Sequence, residues 1–215
     1  MSLPSRCGGL RGHAACVVVM VALLAAAGEA AAQGWTWGVR GGVVWSTPLV
    51  EDQVAPPAAT SPVKIRVPPG PTLALDLGRE IRPGVDLALN VGWATSSQQI
   101  EGDGARRLGG LDIAHATIGL RARAADRVRV HGGAGVIQYI AGRSGIFRDG
   151  SSPGALLEAG VDVAWGAGRG SIVLGLAGQA HRFGTPALRA EGGVDGTVYR
   201  FSVTAGYRFG GAGPR

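Results

Sequence analysis

The 215-residue sequence predicts an all-β fold: a transmembrane, antiparallel, up-and-down β-barrel of about eight strands. Three observations predict this class. Extended runs alternate apolar and polar residues, the N-terminus has the regions of an export signal, and long and short connections alternate along the chain. The period of two places one apolar and one polar face on each strand. The other two observations indicate that the apolar faces meet lipid.

The N-terminal segment, residues 1–32, is predicted to be a cleaved signal peptide. Two arginines precede the apolar run Ala14–Ala27, and small residues then lead to Ala32 and Gln33. The run is shorter than the roughly 20 residues of a membrane-spanning helix. We therefore expect cleavage between Ala32 and Gln33, which leaves residues 33–215 as the barrel domain.

The last predicted strand, Thr197–Gly210, shows the alternation most clearly. From Tyr199 to Phe209 the odd-numbered residues are apolar, with aromatic rings towards both ends, and the even-numbered residues from Arg200 to Arg208 are small or polar. A strand that crosses a bilayer has this pattern, because aromatic girdles lie at the two interfaces with an apolar band between them. Seven further strands show the same period: Trp35–Ser46, Thr72–Arg79, Val85–Ala94, Leu111–Arg123, Arg127–Ile140, Gly154–Trp165 and Ser171–Phe183.

The connections between these strands alternate in length. Tight turns are predicted at Arg82–Gly84, Ala124–Asp126 and Gly166–Gly170, and longer segments at Thr47–Pro71, Thr95–Gly110, Ala141–Pro153 and Gly184–Gly196. We call the rim that holds the N-terminus and the tight turns the near rim, and the opposite rim the far rim. Outer-membrane barrels have short periplasmic turns and longer extracellular loops. The first long segment is rich in proline and is expected to be mostly loop, with a short strand near Val63–Val67.

Aromatic residues on the apolar faces fall into two groups, one at each rim. Tryptophan and tyrosine settle at membrane interfaces because their rings are amphipathic. The predicted interface residues are Trp37, Trp45, Trp93, Trp165, Tyr199, Tyr207 and Phe209. A secreted, soluble ligand-binding barrel is the competing interpretation, and it would instead bury Trp35, Trp45 and Trp93 inside.

The polar faces carry mostly small residues and single large polar ones. A barrel of about eight strands encloses a space that side chains can fill. The residues expected to point into it are Arg40, Asp76, Asp86, Asn90, Arg121, Arg129, His131, Glu158, Asp162, Gln179, His181 and Arg200. Buried charges must pair to be tolerated. These residues either form a structural network that plugs the barrel or line a narrow pore.

Several other classes of protein are not favoured. Arginines are scattered singly rather than clustered, so no nucleic acid is expected as a partner. Both cysteines lie in the signal segment, and His115, His131 and His181 lie on separate strands, so we expect no metal. No serine accompanies a histidine and a carboxylate in the right alternation, so we expect no catalytic residue and no enzyme. No cofactor is expected either, because the glycine-rich runs lack the strand–helix context of a nucleotide loop.

From Trp35 to Phe209 the chain resembles the small outer-membrane β-barrel family of Gram-negative bacteria, the porin-family or opacity-like proteins. The opening stretch Gly38–Ser46 resembles that family's common first strand, and the closing Tyr207-Arg208-Phe209 resembles its aromatic-ended insertion signal. In this chain Gly210–Arg215 follow, where family members usually end. The resemblance implies residence in the outer membrane, contact with its lipid, and contact with the barrel-insertion machinery during biogenesis.

The predicted function is that of a monomeric outer-membrane barrel with a structural or surface-interaction role. Binding residues are often carried by exposed loops on a rigid scaffold, so the segment Thr47–Pro71 is the expected contact surface. No motif specifies a surface partner. A narrow passive pore for small solutes is the second interpretation, and the secreted soluble barrel is the third.

Overall fold

The computed structural model describes residues 34–49, 64–101, 106–141, 151, 153–166, 170–184 and 196–210. The predicted signal peptide and its cleavage site lie outside the described residues. So do residues 50–63 of the first long segment, most of the segments 141–153 and 184–196, and residues 211–215.

The described residues form nine strands of one antiparallel sheet. They are β1 Trp35–Ser46, β2 Lys64–Arg66, β3 Gly70–Arg82, β4 Val85–Glu101, β5 Arg106–Arg123, β6 Val128–Ala141, β7 Gly154–Trp165, β8 Gly170–Phe183 and β9 Gly196–Gly210. All except β2 pair with their neighbours in chain order, and β9 pairs back with β1, which closes an eight-stranded barrel. The predicted fold class is confirmed. The short β2 adds to the far-rim end of β4. No helix among these residues is long and apolar enough to cross a membrane.

The structure between Thr95 and Gly110 differs from the loop that the sequence predicts. That segment was expected to be a loop, but β4 continues to Glu101 and β5 begins at Arg106. The two strands stay paired from Thr95 opposite Asp112 up to Ile100 opposite Arg106, with one register shift between Gln98 and Gln99. The apolar–polar alternation fades here, yet the backbone ladder needs no alternation to continue. The loop prediction is therefore wrong for residues 95–101 and 106–110.

The tight turns of the near rim follow from local backbone chemistry. Between β3 and β4, Pro83 and Gly84 make the reversal, and Gly84 has a φ of 78°, a conformation that favours glycine. Its backbone N–H donates to the Glu80 carboxylate at 3.0 Å. Between β5 and β6, the Ala124 N–H donates to the Val128 carbonyl at 2.9 Å. Both predicted turns are confirmed.

The apolar residues lie on the outside of the barrel. Every one of the eight barrel strands exposes large hydrophobic side chains, including Leu176 at 60 % and Ile118 at 56 % exposure. Trp45 and Trp93 are also on the outer face, about 40 % exposed. A continuous apolar band around a protein marks contact with lipid. The soluble ligand-binding barrel predicted the opposite placement of these tryptophans and is wrong on this point.

Candidate functional site: the barrel interior

The twelve residues predicted to point inward all lie on the inner face. Small residues on adjacent strands leave room for them. A Cβ atom added at Gly92 would overlap the His115 ring, and one added at Gly160 would overlap the His131 ring. Glycine at these positions is therefore a packing requirement, because a larger residue and the bulky side chain could not share the space.

The near-rim half of the interior is filled by ion pairs. We call this the ionic network; its members are Arg40, Asp76, Asp86, Arg121, Arg129, Asp162 and Arg208. Arg40 is at its centre. Its Nε donates to Asp76 Oδ2 at 2.6 Å, its Nη2 donates to the other Asp76 oxygen, and its Nη1 donates to Asp162 Oδ1 at 2.7 Å. Arginine can form such forked bonds because its guanidinium is planar with several fixed donors.

The remaining bonds of the ionic network give each buried aspartate at least one arginine. Arg208 Nη2 donates to Asp162 Oδ2 at 2.7 Å. Asp86 Oδ2 accepts from Arg121 Nε at 3.0 Å and from Arg129 Nη1 at 2.9 Å. Sequence reasoning did not include Arg208 among the interior residues, although it shares the face of Arg200 by the period of two. A strict use of the alternation would have found it.

A second group crosses the middle of the interior. Gln179 Nε2 donates to Glu158 Oε2 at 2.6 Å, and Gln179 Oε1 accepts from Arg200 Nη1 at 3.0 Å. The amide therefore links a carboxylate to a guanidinium on different strands. His131 Nε2 lies 3.9 Å from Glu158 Oε1. Asn90 extends the group towards Asp76, to whose Oδ1 its Nδ2 donates at 3.5 Å.

The far-rim half of the interior is apolar, which sequence reasoning missed. We call this cluster the apolar plug; its members are Val44, Leu49, Ile65, Val67, Ala94, Leu111, Ile113, Ile137, Tyr139, Leu156, Phe183 and Val198. The signal was present in the alternation. Ile137 and Tyr139 share the face of His131, and Leu156 shares the face of Glu158, so an apolar inner layer could have been read from the same pattern.

His181 belongs to the apolar plug rather than to the ionic network. Its Nε2 is 2.8 Å from the Tyr139 hydroxyl oxygen. The Tyr139 ring also meets the Phe183 ring edge-on, with centroids 4.9 Å apart. The Tyr139 backbone N–H in turn donates to Ser151 Oγ at 2.9 Å. This buried polar pair is therefore enclosed by rings and aliphatic side chains.

Two cavities of about 20 and about 40 Å³ lie in the polar part of the interior, and both are lined by Arg40, Asn90, His131 and Glu158. A buried water needs about 10–15 Å³. These spaces suit single water molecules near Asn90 Oδ1 and His131 Nδ1, two buried atoms without a hydrogen-bond partner. Within the described ranges, no group of three or more histidine, cysteine or acidic side chains could hold a metal ion.

The predicted interface aromatics all lie on the outer face. Trp37 and Phe209 stack with ring centroids 4.1 Å apart, and Tyr207 meets Phe209 edge-on at 4.5 Å. Trp165 is at the near-rim end of β7. The far-rim group consists of Trp45, Trp93 and Tyr199.

Comparison with known proteins shows which solved structures have a similar fold. No protein-family model matches the chain, and no curated protein matches it in sequence. Among solved structures, the outer membrane protein OprG from Pseudomonas aeruginosa is similar with a TM-score of 0.51 and 15 % identity, over 83 % of this chain and 97 % of OprG. The outer membrane protein AlkL in DMPC bilayers is similar with a TM-score of 0.53 and 14 % identity, over 97 % of this chain and 95 % of AlkL.

Both proteins match along nearly their whole length, so the likeness covers the complete barrel and not a shared hairpin. At this level of identity the likeness concerns architecture. It agrees with the strand order, the closed pairing and the apolar outer band described above. The chain has the fold of the small eight-stranded outer-membrane β-barrels.

Proposed function

We propose that this protein is an integral outer-membrane barrel with a closed interior, whose role is structural and surface-interactive. One observation carries the proposal: two layers of side chains fill the barrel interior. The ionic network fills the near-rim half, and the apolar plug fills the far-rim half. The apolar outer band supports insertion in the bilayer. Export by the predicted signal peptide, assembly by the barrel-insertion machinery, and a monomeric state are parts of the same proposal.

The two layers oppose conduction for different physical reasons. An ion that leaves water for the apolar plug loses its hydration and meets mainly aliphatic and aromatic side chains there. Ile137, Leu156 and Val198 are at most 2 % exposed, so this layer is tightly packed. In the ionic network, a passing solute would have to displace arginine–aspartate bonds that are already made. Both layers would have to rearrange for a solute to cross.

The far rim is the proposed contact surface. The hairpin of β4 and β5 extends past Trp93, and β2 adds a third strand to it. Ile65 and Val67 point into the apolar plug, and Leu49 joins them there. The segment Thr47–Pro71 is thus fixed at both ends on the barrel mouth, which leaves residues 50–63 to carry a surface interaction on a rigid base.

Conductance of the reconstituted protein tests the closed interior. We expect no stepwise conductance from the wild-type protein in planar bilayers, because both halves of the interior are filled. A variant with Val44, Ile137 and Leu156 all replaced by glycine should also lack stepwise conductance, since it thins the apolar plug but leaves the ionic network in place. Steady stepwise conductance from the wild-type barrel would contradict the proposal and favour the narrow passive pore.

A further inference from the structure

The seam between β1 and β9 differs from every other contact between neighbouring barrel strands. Its two strands are the first and the last of the barrel, so no turn joins them. They pair from Thr36 opposite Gly210 to Ser46 opposite Arg200. Only non-covalent interactions therefore keep this seam closed.

Inside the barrel, an ion pair between two of the described residues bridges this seam. Arg40 lies on β1 and Asp162 lies on β7, and their bond of 2.7 Å joins residues 122 positions apart. If the β1–β9 pairing were opened, β1 and β9 would be the two opposite edges of the sheet. The strand β7 would then lie near the β9 edge, separated from it by β8 and far from β1. Arg40 could not then reach Asp162. The bond exists only when the barrel is closed.

Two neighbouring residues, Arg208 and Gly175, position this ion pair. Arg208 on β9 donates to the second oxygen of Asp162 at 2.7 Å and so holds the carboxylate in position. Gly175 on β8 has no side chain, which leaves room for the ion pair. A Cβ at this position would lie 2.9 Å from both Arg40 Nη1 and Asp162 Oδ1. Asp162 is fully buried, at 0 % exposure.

Outside the barrel, aromatic rings bridge the same seam near both ends. Trp37 and Phe209 are direct register partners, and their rings stack with centroids 4.1 Å apart and an interplanar angle of 15°. Trp45 and Phe201 are also direct partners, with centroids 6.3 Å apart. Cross-strand aromatic pairs stabilise a strand pairing beyond their buried area.

We propose that the Arg40–Asp162 ion pair and the two ring pairs form a latch that holds the β1–β9 seam closed. Loss of Asp162 leaves the buried Arg208 guanidinium without its carboxylate, takes one of two carboxylates from Arg40, and removes the bond that only closure permits. Closure of the seam therefore depends on Asp162 more than on another buried carboxylate of the ionic network.

Asp86 provides the matched control. Like Asp162, it is buried and accepts hydrogen bonds from two arginines, Arg121 and Arg129. Those arginines lie on β5 and β6, and Asp86 lies on β4, so none of these bonds crosses the seam. Asp162→Asn and Asp86→Asn thus remove equivalent charges at different places in the barrel.

Hydrogen–deuterium exchange of the folded barrel in detergent micelles tests the latch. We expect Asp162→Asn to speed exchange in β1 and β9 by about a hundredfold, because breaking a buried pair favours local opening of the seam. Asp86→Asn should act on β4, β5 and β6 and leave β9 close to wild type, with any change in β1 confined to Thr36, whose hydroxyl accepts from Arg121 at 3.1 Å. Equal acceleration in all strands of Asp162→Asn, or the same seam response in both variants, would overturn the proposal.

A second pair of variants keeps the test valid if Asp162→Asn does not fold. Gly175→Ala crowds both atoms of the ion pair at 2.9 Å and Thr204 Oγ1 on β9 at 2.8 Å, whereas an added Cβ at Gly178, on the same strand, meets its nearest atom at an ordinary 3.7 Å. We expect faster exchange at the β1–β9 seam for Gly175→Ala and not for Gly178→Ala. Equal seam exchange in the two would refute the latch. A non-conducting Gly175→Ala barrel with a loosened seam would separate this result from the closed-interior proposal.

Discussion

Replacing Leu176 by arginine is expected to destabilise the barrel in a bilayer by about 2–4 kcal/mol. Leu176 is near the middle of β8, and its side chain is 60 % exposed on the outer face. A guanidinium at that depth must leave water for hydrocarbon or distort the bilayer to stay hydrated. Urea unfolding of the protein in lipid vesicles, followed by tryptophan fluorescence, measures the change.

The matched control for this prediction is Leu176→Ala, which shortens the side chain and keeps it apolar. It should cost much less than the arginine, because no charge enters the lipid. If the arginine variant unfolded within about 0.5 kcal/mol of the wild type, as surface substitutions in water usually do, the outer face would not be in contact with hydrocarbon.

Replacing Leu156 by alanine is expected to cost about 2–5 kcal/mol of unfolding free energy. Leu156 is 1 % exposed inside the apolar plug, so the shorter side chain leaves a cavity that tightly packed neighbours fill only partly. Denaturant unfolding in vesicles or micelles gives the difference from the wild type.

The adjacent residue supplies the control for Leu156. Leu157 has the same side chain on the same strand, but it points outward and is 64 % exposed. Leu157→Ala should cost about 1 kcal/mol or less, since lipid chains can occupy the space. Equal effects of the two substitutions would mean that the far-rim interior is not a packed layer.

The strands could be predicted from the sequence because alternation reports two different environments. Trp35–Ser46 and Gly154–Trp165 were predicted with the ends that the structure has, since each is bounded by a change from alternating to turn-forming residues. The hairpin above Trp93 was not predicted, because both faces of Ser97–Glu101 carry mainly polar residues and the alternation is lost. A strand that extends beyond the bilayer keeps its backbone hydrogen bonds, but its residues no longer alternate between apolar and polar.

The residues that line the interior could be predicted from the sequence, but the contacts between them could not. Period-two counting places Arg40 and Asp162 on inner faces, and it also places Ile137 and Leu156 there. It does not say that β1 and β7 meet across the interior, because that contact is made only when β9 returns to β1. The division into an ionic network and an apolar plug depends on the height of each residue in the barrel, which the shear of the closed sheet determines.

Surface labelling of Lys64 on intact cells tests the central claim most directly. Lys64 is the only lysine of the chain and lies on β2, at the far rim. We expect a membrane-impermeant amine reagent to label the wild-type protein on intact cells, with Lys64→Arg as the control that removes the label. Labelling that appeared only after the outer membrane was broken, and that Lys64→Arg abolished, would place the far rim in the periplasm and contradict the account.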